Sequence, residues 1–241
     1  AAEGRRTMNP AFHSPTYPYE RVMPSFLTFR GAEEIPHKLL TYLMDLPLPD
    51  GYEPVDDNTR PRVRLMKYLW HDGAKPLGER LPTAKEKQSL LFDGNEPVVD
   101  TDAQRRKHPK GYRLYAQKFW GEAQTEAKST IKCYLGRIFA QTPFDARIGI
   151  TFVISCNVNQ ETTTKTEAYA RSYDMEQCIL EALNGVNLAG IGVCDFSRTA
   201  HADNGSRPVY DQTGTVVGRE LKMSIHWAES EAAMGDTIED Y

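Results

Sequence analysis

The chain has 241 residues, 40% of them hydrophobic and 26% charged, enough to bury a sizeable core and read as one domain with long excursions rather than two full domains. A net charge of −4 excludes a global basic field that would draw the whole protein to nucleic acid and leaves room only for a local basic patch. No apolar run approaches the roughly 20 residues needed to span a bilayer, and no basic-then-apolar leader is visible, so synthesis in the cytosol without a membrane partner is expected.

Residues 1–30 include the run PAFHSPTYPYERVMPSFLTF, in which aromatics alternate with prolines and no period of 2 or 3.6 is sustained. Proline denies such a segment regular ladders. It reads either as an extended arm whose aromatics dock on a neighbouring surface or as a loose terminus. Residues 35–46 predict a helix: Pro36 suits a first turn, and Leu39, Leu40, Leu43 and Met44 form an apolar stripe ended by Pro47 and Pro49. Residues 62–70 alternate, with Val63, Leu65 and Leu69 on one side and Arg62, Arg64 and Met66 on the other, which predicts a first strand.

Residues 71–110 are polar and turn-rich, with an acidic patch over 96–102 followed by QRRKHPK, and read as an insertion projecting from the domain. Strand character resumes over 111–119. Two clearer alternating runs, 129–140 and 147–157, flank a short Pro-bearing turn and predict an antiparallel hairpin with one buried face, Ile148, Ile150, Phe152, Ile154 and Cys156 pointing inward. A polar linker over 157–166 leads into an amphipathic helix in which Met175, Cys178, Ile179, Ala182 and Leu183 share a face and Asn184-Gly185 supplies the stop. A strand opens at 190–196, a loop follows over 197–214, and residues 215–227 form the last strand, with Val217, Leu221, Met223, Ile225 and Trp227 on its apolar side. The acidic residues 229–241 read as a loose tail. The fold class is therefore α+β: a mostly antiparallel sheet covered by two helices, with an N-terminal arm over 1–30, one domain over 31–228 and the long insertion.

The chain carries no nucleophile elbow, phosphate-binding loop or helical zinc motif. Cys133, Cys156, Cys178 and Cys194 are widely spaced in apolar patterns and read as small core residues. His71-Asp72 and His201 with Asp203 could begin an acid–base or metal site, but read first as exposed histidines beside turn-forming aspartates. No cofactor is called for. Arg105, Arg106 and Lys107, next to the acidic patch, suit charge-complementary contact between identical subunits. Similar material surrounds the last two strands at Arg198 and Arg207, and the charged side of the long helix offers Arg171 and Glu181.

Three stretches, residues 35–77, 110–137 and 164–201 with the sequel VVGRELKMSI, together about half the chain, resemble structural proteins encoded among the head and tail genes of tailed bacteriophages. The resemblance implies a neck or tail-terminator protein of the virion, made in the bacterial host cytoplasm. Such a protein is a homo-oligomeric ring of about six subunits that contacts other neck, connector and tail-tube proteins and lets genomic DNA pass without sequence-specific binding. A tail-tube or baseplate component is the alternative within the particle, and a small enzyme using His71, Asp72 and His201 the alternative outside it. In the ring reading, Tyr17, Tyr19 and Phe26 of the arm join Arg105, Arg106, Lys107, Arg171, Glu181, Arg198 and Arg207 as candidates for subunit contact.

Overall fold

A computed structural model describes residue 29 and residues 31–92, 94, 102–117, 128–142, 145–163, 170–189 and 191–228. The greater part of the N-terminal arm and the whole acidic tail lie outside the described residues. Helix α1 (Ile35–Leu43) begins with Pro36 in its first turn and buries Ile35, Leu39, Leu40 and Leu43. It lies over the long strand β2 (Thr130–Thr142), which pairs antiparallel with β3 (Asp145–Asn157) as the hairpin pattern predicts. Strand β7 (Val216–Ala228) pairs along the whole of β3. On the covered face Ile131, Cys133, Ile148, Ile150, Phe152, Ile154, Cys156, Leu221, Met223 and Ile225 are buried, so period-2 alternation in these three strands marks the core directly.

Residues 62–70 are not a strand. They belong to helix α2 (Pro61–Trp70), in which Val63, Leu65, Met66, Tyr68, Leu69 and Trp70 are all buried. α2 packs against helix α6 (Arg171–Leu183) on one side, while Lys67 reaches Asp56 and the Leu77 carbonyl on another. A helix covered on several sides needs apolar residues around most of its circumference, and over ten residues that arrangement imitates alternation. Pro61 at the first turn was the discriminating mark. The helix layer over the sheet therefore contains α2 as well as α1 and α6.

The 71–110 segment does not all project. Helix α3 (Ala84–Gln88) is closed by a capping box between Thr83 and Glu86, Leu90 belongs to the main core, and Phe92 packs on Tyr112 and Tyr115. Helix α4 (Asp102–Lys107) follows, and the strand expected over 111–119 is only β1 (Leu114–Tyr115), parallel to β2. The expected polar linker after β3 opens as helix α5 (Val158–Thr163). Beyond α6 come β4 (Asn187–Leu188), β5 (Gly192–Asp195) and, inside the expected loop, β6 (Gly205–Tyr210). The sheet order is β1-β2-β3-β7-β5-β4, with β6 also on β7. β5 and β6 share one edge of β7, β5 at Ile225 and Ser224, and β6 from Lys222 back to Val217.

The second face is partly covered by the 196–204 loop. A bulge between Leu135 and Ile138 turns the Arg137 carbonyl toward this face, where it meets Nε2 of His201, and Nδ1 of His201 accepts the Asp203 N–H. Nδ1 as acceptor makes Nε2 the donor. Gly149 opposite must lack a side chain, because a Cβ there would stand 2.8 Å from the Arg137 oxygen. Asn204 ties the same loop down through the Asp195 and Ser197 carbonyls and the Ser224 hydroxyl.

Candidate functional site

The helix layer rests on β2, β3 and β7, and the outermost part of β6 lies beyond it. Pro208 and Tyr210 of β6 pair with Arg219 and Val217 of β7, and Arg219 reaches up to Glu176 of α6, so all four face the helix side of the sheet. Tyr210 is nonetheless 74% exposed. Between this strip and the ends of α5 and α6 runs a groove of about 560 Å³, lined by Val158, Tyr173, Pro208, Tyr210, Val217 and Arg219 among others.

The charges at its walls are held from inside the subunit. The Arg219 guanidinium ion-pairs with Glu176, which is only 1% exposed, donates to Ser206 Oγ at 2.5 Å and lies over the Tyr173 ring at 5.4 Å. α6 has no side-chain cap at Ala170. Glu161 of α5 takes that role, accepting the Ser172 N–H at 2.9 Å and the Ser172 hydroxyl at 2.6 Å, an anion where the helix dipole favours one. With its acid and guanidinium engaged this way, the groove offers tyrosine rings, a proline and valines, a lining suited to an extended, Pro-bearing peptide.

Arg171, expected on an outward charged face, is instead wholly buried. Its guanidinium donates to the carbonyls of Gly73 (2.7 Å) and His71 (3.4 Å), just past the C-terminal end of α2, and lies over the Tyr68 ring. A cation at that end satisfies two carbonyls of the turn that follows the helix and complements the helix dipole. Burial lowers its pKa, as removal from water disfavours the charged form. Beside it, Ser129 donates to Gln160, Gln160 donates to Asp72, and Asp72 receives two bonds from the buried Arg113 (2.7 and 3.1 Å). Burial pushes the Asp72 carboxyl up, but the Arg113 bonds outweigh it and hold the group below the usual carboxylate range. These groups join α2, α5, α6, β1 and β2 into one polar seam.

The remaining expected contact residues are dispersed. Arg105, Arg106 and Lys107 are exposed on α4, Arg198 is exposed in the 196–204 loop, and Glu181 is exposed on α6 within 3.8 Å of Arg64. Arg207 is on β6 but on the face opposite the groove, paired with Glu220 at 2.9 Å. Tyr17, Tyr19 and Phe26 lie outside the described residues. The structure does not gather His71, Asp72 and His201: the first two follow α2 on the helix side, His71 bonded to the Arg80 carbonyl, and His201 packs on the other face against Phe139. All four cysteines are buried, and burial pushes Cys156, Cys178 and Cys194 up to about 12. Residue-by-residue reading missed Tyr173, Pro208 and Tyr210; their signal was an aromatic off the apolar stripe of α6 and an aromatic beside a proline in a polar run.

Among the described residues no helix is long and apolar enough to cross a membrane. No protein-family model, curated protein or solved structure matches the chain.

Proposed function

We propose that the chain is a structural protein of a tailed-bacteriophage virion, a neck or tail-terminator subunit that assembles head-to-tail into a ring of about six copies, completes the tail and leaves a channel for DNA. The observation that carries this reading is the unlikeness of the two ends of the sheet. At one end the β2–β3 hairpin runs out beyond the core, residues 136–138 and 140–142 of β2 being exposed; at the other the aromatic groove opens beside β6. A closed ring needs two different patches on each subunit, one meeting the other after rotation. The resemblance over residues 35–77, 110–137 and 164–201 supports the same assignment, as does an α+β subunit with helices on one side of the sheet. A net charge of −4 also suits a conduit that must not hold passing DNA.

Electron microscopy of the purified protein mixed with tail tubes and with head connectors tests the assignment. A single ring at one end of each tube, able to join a connector, is the expected image. Many copies along the tube or at its far tip would assign the chain to the tube or baseplate instead, and no association with either structure would refute the neck reading.

A further inference from the structure

We infer that the groove at the β6–β7 end receives the Pro- and Tyr-rich segment of residues 10–28 from the neighbouring copy of this chain. The inference deepens the ring reading above and rests on it.

The lining selects the occupant. Glu161 caps α6 and Arg219 pairs with Glu176, so recognition falls to Tyr173, Tyr210, Pro208 and the valines. Tyrosine-lined grooves take extended, proline-stiffened segments because proline has already fixed part of the backbone and little further entropy is lost. Residues 10–28 place Phe12, Tyr17, Tyr19 and Phe26 among Pro10, Pro15, Pro18 and Pro24. Of the other stretches outside the described residues, 118–127, 164–169 and 229–241 have no proline, 95–101 has one proline and no aromatic, and 143–144 is only two residues long.

Position selects the donor. Phe29 packs against the main core and its carbonyl accepts the Ala32 N–H just before α1, which lies over β2. The described chain therefore begins on the β2 side of the sheet, and the groove opens at the β6 side. The surface between them in the same subunit is crossed by the Arg64–Asp174 pair and by Glu181, over which an apolar segment would gain little. Residues 10–28 in polyproline extension reach about 60 Å at ~3.1 Å per residue. The three strand spacings from β2 to β6 are only about 14 Å. Reach is ample for a neighbour, and an arm leaving one side for a groove on the other repeats in one direction, as a ring requires.

The test uses the full chain. Copies carrying Tyr17→Cys or Tyr19→Cys and one affinity tag are co-expressed with copies carrying Tyr210→Cys and a second tag, and the assembled protein is treated with a short bis-maleimide. The native thiols are buried and do not compete. The expected product is a cross-linked dimer bearing both tags, in about tenfold excess over either same-tag dimer. Tyr210→Ser, at a side chain that is 74% exposed, should weaken assembly roughly tenfold or more. Assembly without the two-tag product would overturn the arm's docking while the ring reading stands. Cross-linking within a single chain carrying both substitutions would place the arm in its own groove and also overturn it. A parent protein that stays monomeric at every concentration would overturn both readings.

Discussion

Over β2 and β3 the helix layer seals the sheet with Leu39, Leu40, Leu43, Leu65 and Leu69, and the guanidinium of Arg171 inside it is wholly buried against backbone carbonyls. At the β6 end a second guanidinium, Arg219, sits on the boundary, paired with a buried carboxylate, and beyond it Tyr210 stands in solvent. Charge and exposure are thus inverted between the two ends: the charged group is core at one, and the apolar ring is surface at the other. A buried arginine whose two terminal nitrogens both reach backbone carbonyls fixes how helices meet. An exposed tyrosine beside a groove fixes nothing in its own subunit and is available for contact.

Substitutions that break one end without touching the other sharpen this contrast. Arg171→Ala removes two charge-assisted bonds at the sealed end and should lower stability by about 4 kcal/mol, read as a large fall in the urea midpoint. An unchanged midpoint would return Arg171 to the surface. Arg219→Ala leaves the carboxylate of Glu176 buried without its cation and should cost about 3 kcal/mol by the same measurement. Acid should loosen the sealed end: the Asp72 pKa is depressed in the fold, so its contribution is present above the ordinary value of 3.8 and lost as pH falls through the folded value. Asp72→Asn should flatten that part of the acid-unfolding curve, and an identical curve would remove Asp72 from the account. The smallest effect on folding belongs to Tyr210→Ser, which should shift monomer stability by no more than about 0.5 kcal/mol.

What was legible in the sequence follows the same division. The β2–β3 hairpin, β7 and the long helix each set an apolar face against the core and mostly polar or small residues on the other, so their periods of 2 and 3.6 survive in the residue order. α2 was misread because it is covered on more than one side. β6 was missed because it holds its place by backbone pairing to β7 while its side chains stay mostly exposed, and Pro208, acceptable only at an edge, looked like a loop residue. Arg171 looked like surface because the carbonyls it satisfies arrive from a segment 98 to 100 residues earlier in the chain. The groove has no local signature at all, since Val158, Tyr173, Tyr210 and Val217 meet only once the sheet has closed.

The central claim is that this chain assembles in one direction through its open end. Light scattering of the purified full chain over a wide concentration range, with Tyr210→Ser measured alongside, tests it most directly. The account predicts a parent of discrete mass near six subunits and a variant needing at least about tenfold more protein to reach it. A parent that remains monomeric throughout, or a variant that assembles identically, would contradict it.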